Sequence, residues 1–498
     1  MRLSSGLTLT LLLAVLAGLT LLAPSATRVR SIEGHVFDGD GPLAGARVRF
    51  KGTTTSARTD AGGRFHLPRQ SVGRRVTAWK QGYFIGGVER TNSPLSIFLT
   101  RLPAEDNVDY EWVDPAPNAG QVHNCGNCHA EIYREWSRSG HSRSTTGRHF
   151  RNLYEGTDWH GNPDVGWGLL TQYPEGSGVC ASCHAPTATE YDLRQVKGVA
   201  ARGVHCDYCH KIAEVADGPI GLSHGRFNLR LLRPSDGQLF FGALDDVDRG
   251  EDTYAPLYRD SRYCASCHEG VIFGVHVYST FSEWQRSPAR RQGKQCQDCH
   301  MKPTGRTTNM APGHGGIERD PRTLANHRFF DGSQEAMLRR AVKASVAFER
   351  GRDGVRARVR LWTEGVGHRL PTGFVDRHLV LIVEGQDADG RTLTPLLGEK
   401  LPTEVGAELE GRPGRLYARV LQDFEEHRPV PFWLAAPDPP PDTRLAPGEV
   451  DESVFEFPAS LGRLRLRVLY RRFWPEVART KHWPDREIVV LEQMFAVK

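Results

Sequence analysis

Apolar and polar residues alternate with period two in two parts of the chain and not in the long stretch between them. Short alternating runs at 32–37, 46–50, 64–67, 75–79 and 95–99 are separated by turn-rich pieces such as Asp38-Gly39-Asp40-Gly41 and Asp60-Ala61-Gly62-Gly63. Successive side chains of a strand point to opposite faces, so this spacing predicts a small β-sandwich over residues 27–103. A second set at 342–348, 355–362, 378–384, 453–457 and 464–470 predicts a C-terminal β-sandwich over 335–498. Asp387-Ala388-Asp389-Gly390 is its tight turn and 437–441 a proline-rich loop. Residues 103–122, rich in Asp, Pro and Asn, are expected to be a linker. The remainder of 104–334 is glycine-rich and irregular, with short helical pieces. The expected fold is multidomain, with two β-sandwiches flanking a mainly α and irregular region. One further apolar run, 7–23, follows Arg2 and ends in Ala23-Pro24-Ser25-Ala26. It is expected to be an export signal over 1–26, too short and weakly flanked for a membrane span, with an uncleaved anchor as the alternative.

The irregular region carries the chemistry. The pattern C-x-x-C-H occurs there five times: Cys125, Cys128 and His129; Cys180, Cys183 and His184; Cys206, Cys209 and His210; Cys264, Cys267 and His268; Cys296, Cys299 and His300. All ten cysteines of the chain are used. Two thiols at this spacing add across the two vinyl groups of one haem, and the adjacent histidine then binds its iron. Disulfides and zinc also use C-x-x-C, but neither accounts for a histidine directly after every second cysteine. Five covalently attached c-type haems are therefore expected. The gaps between motifs suggest two close pairs after a leading haem.

This expectation changes how the charge is read. The formal net charge is +5, and only ten of the 64 basic residues are lysine. Each haem brings two propionates that this count omits, and arginine is their natural partner, so much of the basic excess is read as internal neutralisation. No basic run with interleaved aromatics points to nucleic acid.

What fills the sixth site of each iron decides the function. Fifteen histidines lie outside the motifs against five methionines, so bis-histidine ligation is expected. Glu135-Trp136-Ser137-Arg138-Ser139 is echoed by Glu283-Trp284-Gln285-Arg286-Ser287. In the first copy Ile132, Tyr133 and Trp136 share a helical face and His141 follows; in the second, Ala289 takes its place. A duplicated helix packing on a haem in both places fits, with only the first supplying a ligand; two tryptophans that simply fill core fit as well. The candidate distal ligands are His141, His224, His327, His368 and His314, with His276 as the alternative to His314. His368 sits in Gly367-His368-Arg369-Leu370-Pro371-Thr372-Gly373, a loop able to aim it from the C-terminal sandwich at a haem. His123 and His205, next to motif cysteines, are too constrained to reach another iron. His149, His160, His378, His427 and His482 are expected to be plain surface residues.

Two resemblances follow from these residues. Gly34-His35-Val36, Pro42-Leu43-Ala44-Gly45-Ala46-Arg47-Val48 and Thr59-Asp60-Ala61-Gly62-Gly63-Arg64-Phe65 resemble the carboxypeptidase-regulatory-like domain, which implies a non-catalytic sandwich and no peptidase chemistry. The five motifs, the helix from Trp136 to His141, Gly203-Val204-His205-Cys206-Asp207-Tyr208-Cys209-His210-Lys211 and the loop from Gly367 to Gly373 resemble multihaem cytochromes of the cytochrome c-554 and hydroxylamine-oxidoreductase-like group. That resemblance implies stacked haems passing electrons, and the choice of distal histidines draws on it in part. Two classes compete: an exported electron carrier in the periplasm or outside the cell, and an oxidoreductase with one open iron acting on a small nitrogen or sulfur compound. Pentahaem nitrite reductases carry C-x-x-C-K at the catalytic haem, and no such motif is present, which favours the carrier. Its expected partners are redox proteins, with a homo-oligomer or haem-wire neighbour also compatible, no nucleic acid, and a membrane only if the N-terminal segment stays uncleaved. The sandwiches are expected to dock those partners.

Overall fold

The computed structural model describes residues 31–497, apart from 69–72, 91–93, 122, 176–177, 191, 217, 219, 330–334, 438–440 and 485–486. The expected export signal lies outside the described residues. Among these, no helix is long and apolar enough to cross a membrane.

The chain forms two compact units, the first running to Arg101 and including Asp246–Gly250. Its period-two runs form strands as expected. Ser31–Asp38 pairs antiparallel with Arg64–Pro68 and Gly41–Pro42 and parallel with Leu95–Phe98. A second sheet runs Ser56–Arg58, Arg47–Phe50, Arg75–Trp79, Gly86–Glu89. Alternate residues of the first sheet (Val36, Phe65, Leu67, Ile97) and of the second (Val48, Phe50, Val76, Ala78) bury in one core. Asp246–Gly250 is held by Lys51 Nζ, 2.7 Å from Asp248 Oδ1, and by the Gly52 N–H, 2.7 Å from Asp246 Oδ2. This excursion out of the irregular region was not foreseen, because only a tertiary ion pair marks it.

The second unit holds Leu102–Asp245 and Glu251–Lys498 together, so the motif region and the C-terminal strands share one body. Val342–Arg350, Gly354–Thr363 and Val450–Pro458 form one antiparallel sheet. In the other, His378–Gln386 lies between Arg463–Arg471 and Gly414–Tyr417, with Ile488–Ala496 outside Arg463–Arg471. Val355, Ala357, Val359 and Leu361 pack against Leu379, Leu381, Leu464 and Leu466. The opposite face of His378–Gln386 presents Val380 and Ile382 to a second core with Leu153, Tyr154, Ala181 and Ala185 of the motif region. A strand covered on both faces is near-continuously buried, and that fuses the sheet to the motif region.

The same burial corrects one expectation. His378 is not a surface residue: it is fully buried, its ring stacked on Trp474 at 4.3 Å, with Nδ1 2.9 Å from the Asp376 carbonyl oxygen. His149 is half-buried among Trp159, Phe473 and Trp483, whereas His160, His427 and His482 are exposed as expected. The stretch 103–122 is no free linker either. Asp106 pairs with Arg233 at 2.5 Å, the Tyr110 hydroxyl donates to Asp207 at 3.0 Å, and the Gly126 N–H donates to the Pro115 carbonyl at 2.9 Å. Its polar side chains pin it to the motif region.

Candidate functional site

Each motif lies on a short helix: Cys125–Cys128, Gly178–His184, Cys206–Cys209, Arg262–His268 and Cys296–His300. One turn of helix brings residues three apart onto a common face, so both thiols of a motif point the same way. None of the ten cysteines is in a disulfide. Local sequence stops these helices from fraying. His205 Nδ1 accepts the Tyr208 N–H at the start of the third motif, and Gln295 and Asp298 form a capping box on the fifth.

Sulfur contacts show which motifs are neighbours. The Cys125 side chain lies beside that of Cys206, Cys183 beside Cys267, and Cys264 beside Cys296. Motif one therefore lies beside motif three, motif two beside four, and four beside five. The Tyr258 and Tyr263 hydroxyls both donate to the Cys209 carbonyl, which ties motif three to motif four. Of the two pairs suggested by the gaps, four with five is present, while motifs two and three each contact a motif more distant in sequence. Gap length fails here because chain returns decide proximity.

Three of the motif histidines are held by backbone carbonyls in the orientation that iron ligation would need. Nδ1–H of His129 donates to the Met310 carbonyl at 2.9 Å, that of His184 to Ser144 at 2.8 Å and that of His210 to Phe241 at 2.6 Å. A backbone carbonyl on Nδ1 fixes the tautomer in which Nε2 carries the lone pair, the usual arrangement behind a metal-bound imidazole. Burial lowers the pKa of His184, His210 and His268, the last to about 3, and keeps them neutral as ligation requires.

Two of the candidate distal histidines face motif histidines. The His141 and His268 rings are 6.2 Å apart, centroid to centroid, and the His300 and His368 rings 6.3 Å. Two imidazoles sharing one metal, each with its nitrogen about 2 Å from it, have centroids about 6 Å apart. Nδ1 of His368 is 2.8 Å from the Arg369 carbonyl, so Nε2 is its free nitrogen. The residues present thus fit a haem iron at these two places. His327 is half-buried with its Nδ1 enclosed, and its pKa is lowered to about 3 by desolvation first and then by His210 and His129. His224 is held against the second motif: Gly225 has a φ of 53°, and a Cβ there would lie 2.1 Å from the Ser182 carbonyl. Nε2 of His224 is buried without a partner.

His314 and His276 fare differently. His314 is exposed, and its loop approaches His129 through Met310, on the Nδ1 side of that ring. A distal ligand has to reach the other face of the haem. His276 Nε2 lies 2.5 Å from Glu269 Oε1, which engages the nitrogen that would otherwise reach an iron.

The duplicated tryptophan helices, Ala130–Ser137 and Thr280–Gln285, do more than fill core. Trp136 Nε1 donates to the Val204 carbonyl at 2.8 Å and Trp284 Nε1 to the Lys294 carbonyl at 2.9 Å. Each acceptor lies two residues before a motif's first cysteine. Buried Glu135 accepts the His327 N–H at 2.8 Å and pairs with Arg328 at 3.2 Å. Buried Glu283 accepts the Arg369 N–H at 3.1 Å and the Thr372 hydroxyl at 2.8 Å, and pairs with Arg444 at 2.8 Å. Reasoning from sequence missed both glutamates; the repeated Glu-Trp pair was the signal that could have found them.

Residues 124–211, which hold the first three motifs, match the family model described as cytochrome c554 and c-prime. Among solved structures, a penta-heme cytochrome c552 from Thermochromatium tepidum matches with a TM-score of 0.55 and 22% identity, covering 75% of this chain and 97% of that one. At that identity the likeness concerns the fold. No curated protein matches the chain. The matched segment, the shared fold and five thiol pairs each followed by a histidine together support a multihaem c-type cytochrome with covalently bound haem c.

Proposed function

We propose that the protein is an exported electron carrier with one haem on each of its five motifs and mostly bis-histidine irons. The observation that carries this is the centroid spacing of His141 and His268 and of His300 and His368. In this reading His141 closes the iron of motif four, His368 that of motif five, His327 that of motif three and His224 that of motif two. Motif contacts run one to three to four to five, with two beside four, and this supports an unbroken path for electrons. The two sheets around each β core are read as sandwiches, the first carboxypeptidase-regulatory-like, that dock redox proteins in the periplasm or outside the cell. A homo-oligomer extending the same path is compatible with this reading, as is a membrane link through an uncleaved signal. Nucleic acid is not among the partners.

The second reading, an oxidoreductase with one open iron acting on a small nitrogen or sulfur compound, is favoured by one observation. His314 is exposed and its loop meets His129 through the Met310 carbonyl on Nδ1, so this reading assigns the iron of motif one no second histidine. Voltammetry of the matured protein separates the two. A carrier gives reversible waves that nitrite, hydroxylamine and sulfite leave unchanged; a catalytic current with any of them moves the function to an enzyme.

A further inference from the structure

Each Glu-Trp helix touches two places that belong to one haem. The first helix bonds the Val204 carbonyl, which leads into motif three, and the His327 N–H. The second bonds the Lys294 carbonyl, which leads into motif five, and the N–H of Arg369, next to His368. The correspondence extends to the thiols: the first cysteine of motif one contacts the first of motif three, and the first of motif four contacts the first of motif five. Motif one, its helix, motif three and His327 therefore form one module, and motif four, its helix, motif five and His368 form a second of the same plan. The copies differ five residues after the tryptophan. His141 reaches across to His268 in the first, whereas Ala289 in the second leaves room for Gly367, whose Cβ would lie 3.0 Å from that of Ala289.

We propose that Glu135 and Glu283 are positioning residues, each fixing the distal ligand of one haem while the adjacent tryptophan fixes the attachment motif of that same haem. One short helix thereby sets the separation of the two axial ligands. This rests on the reading that His327 and His368 bind the irons of motifs three and five. The glutamates suit the task because a buried carboxylate accepts several strong hydrogen bonds at once, and each here is held by an arginine on its other oxygen. A loop anchored only by its own turn would leave the imidazole free to swing.

The test is spin-state counting by electron paramagnetic resonance on the matured full chain. Glu135→Ala is expected to convert one haem of the five from low to high spin. Glu135→Gln keeps a carbonyl oxygen for the His327 N–H and is expected to stay low-spin. If Glu135→Ala leaves every haem low-spin, or Glu135→Gln loses as much as alanine does, the proposal is overturned. His327→Ala separates the two layers. If it converts one haem while Glu135→Ala converts none, the ligand stands and the positioning role falls; if it converts none, the ligand reading itself falls. Should Glu135→Ala fail to mature, Trp136→Phe removes only the bond to Val204, and an unshifted low-spin spectrum would then count against the module.

Discussion

The His141 and His268 rings stand 6.2 Å apart at 72° to one another, although one follows the first haem motif and the other closes the fourth. In the proposed ligation a histidine from the first module completes an iron whose thiols sit in the second, and the two modules would be cross-linked through that metal.

His141→Ala is expected to convert one haem more than the parent chain shows to high spin and to open it to carbon monoxide. His141→Met should restore low spin at a higher midpoint potential, as Met/His ligation does relative to bis-His. Absorption and paramagnetic resonance spectra check both, and an unchanged low-spin count in the alanine variant removes His141 from the ligand set.

The buried ion pair next to motif three makes a separate prediction. Lys211 Nζ lies 2.5 Å from Asp207 Oδ1 with both side chains fully buried, and Asp207 also accepts the Tyr110 hydroxyl and the Val113 N–H. Removing one partner strands a buried charge, at a cost on the order of 3–5 kcal/mol. Lys211→Met should destabilise strongly and release the 103–122 stretch. Adding Asp207→Asn should recover part of that loss. Denaturation of the three variants measures the coupling, and strictly additive losses would show that the pair does not act as a unit.

How far the sequence was legible depended on how local each feature is. A C-x-x-C-H motif lies within one helical turn, so it needs nothing else to be read. Period two located the strands at 32–37 and 355–362 because each is covered on one face. It misjudged His378, which lies on a strand covered on both. Distal candidates are non-local: the sequence marked His368 because Gly367 and Gly373 bracket it in a loop, and His141 because it follows a helix, and both rings face motif histidines. His314 also looked like a loop ligand in a glycine-rich turn, but its side chain is exposed and its loop meets His129 through the Met310 carbonyl, a tertiary bond that no sequence pattern marks. Glu135 and Glu283 were visible as a repeat, while their acceptor role depends on backbone N–H groups that no sequence pattern marks.

His378 gives the pH dependence. Burial lowers its pKa from the ordinary 6.5 to about 3. The unfolded chain binds the proton more readily than the folded one, so this residue's contribution to stability is fully present above about pH 6.5 and is lost as pH falls toward 3. Hydrogen exchange in His378–Gln386 should accelerate across that window once corrected for intrinsic rates. His378→Phe, which keeps a ring against Trp474, should flatten the dependence. The same slope in the variant would assign it to another group.

The most direct test of the central claim is a count of haems and their ligation in one sample. Mass spectrometry of the matured chain, with near-infrared magnetic circular dichroism, reads both. Five haems are expected, at least three of them bis-histidine and low-spin, matching His141, His327 and His368. Fewer than five haems, or fewer than three bis-histidine irons, would overturn the proposed ligation.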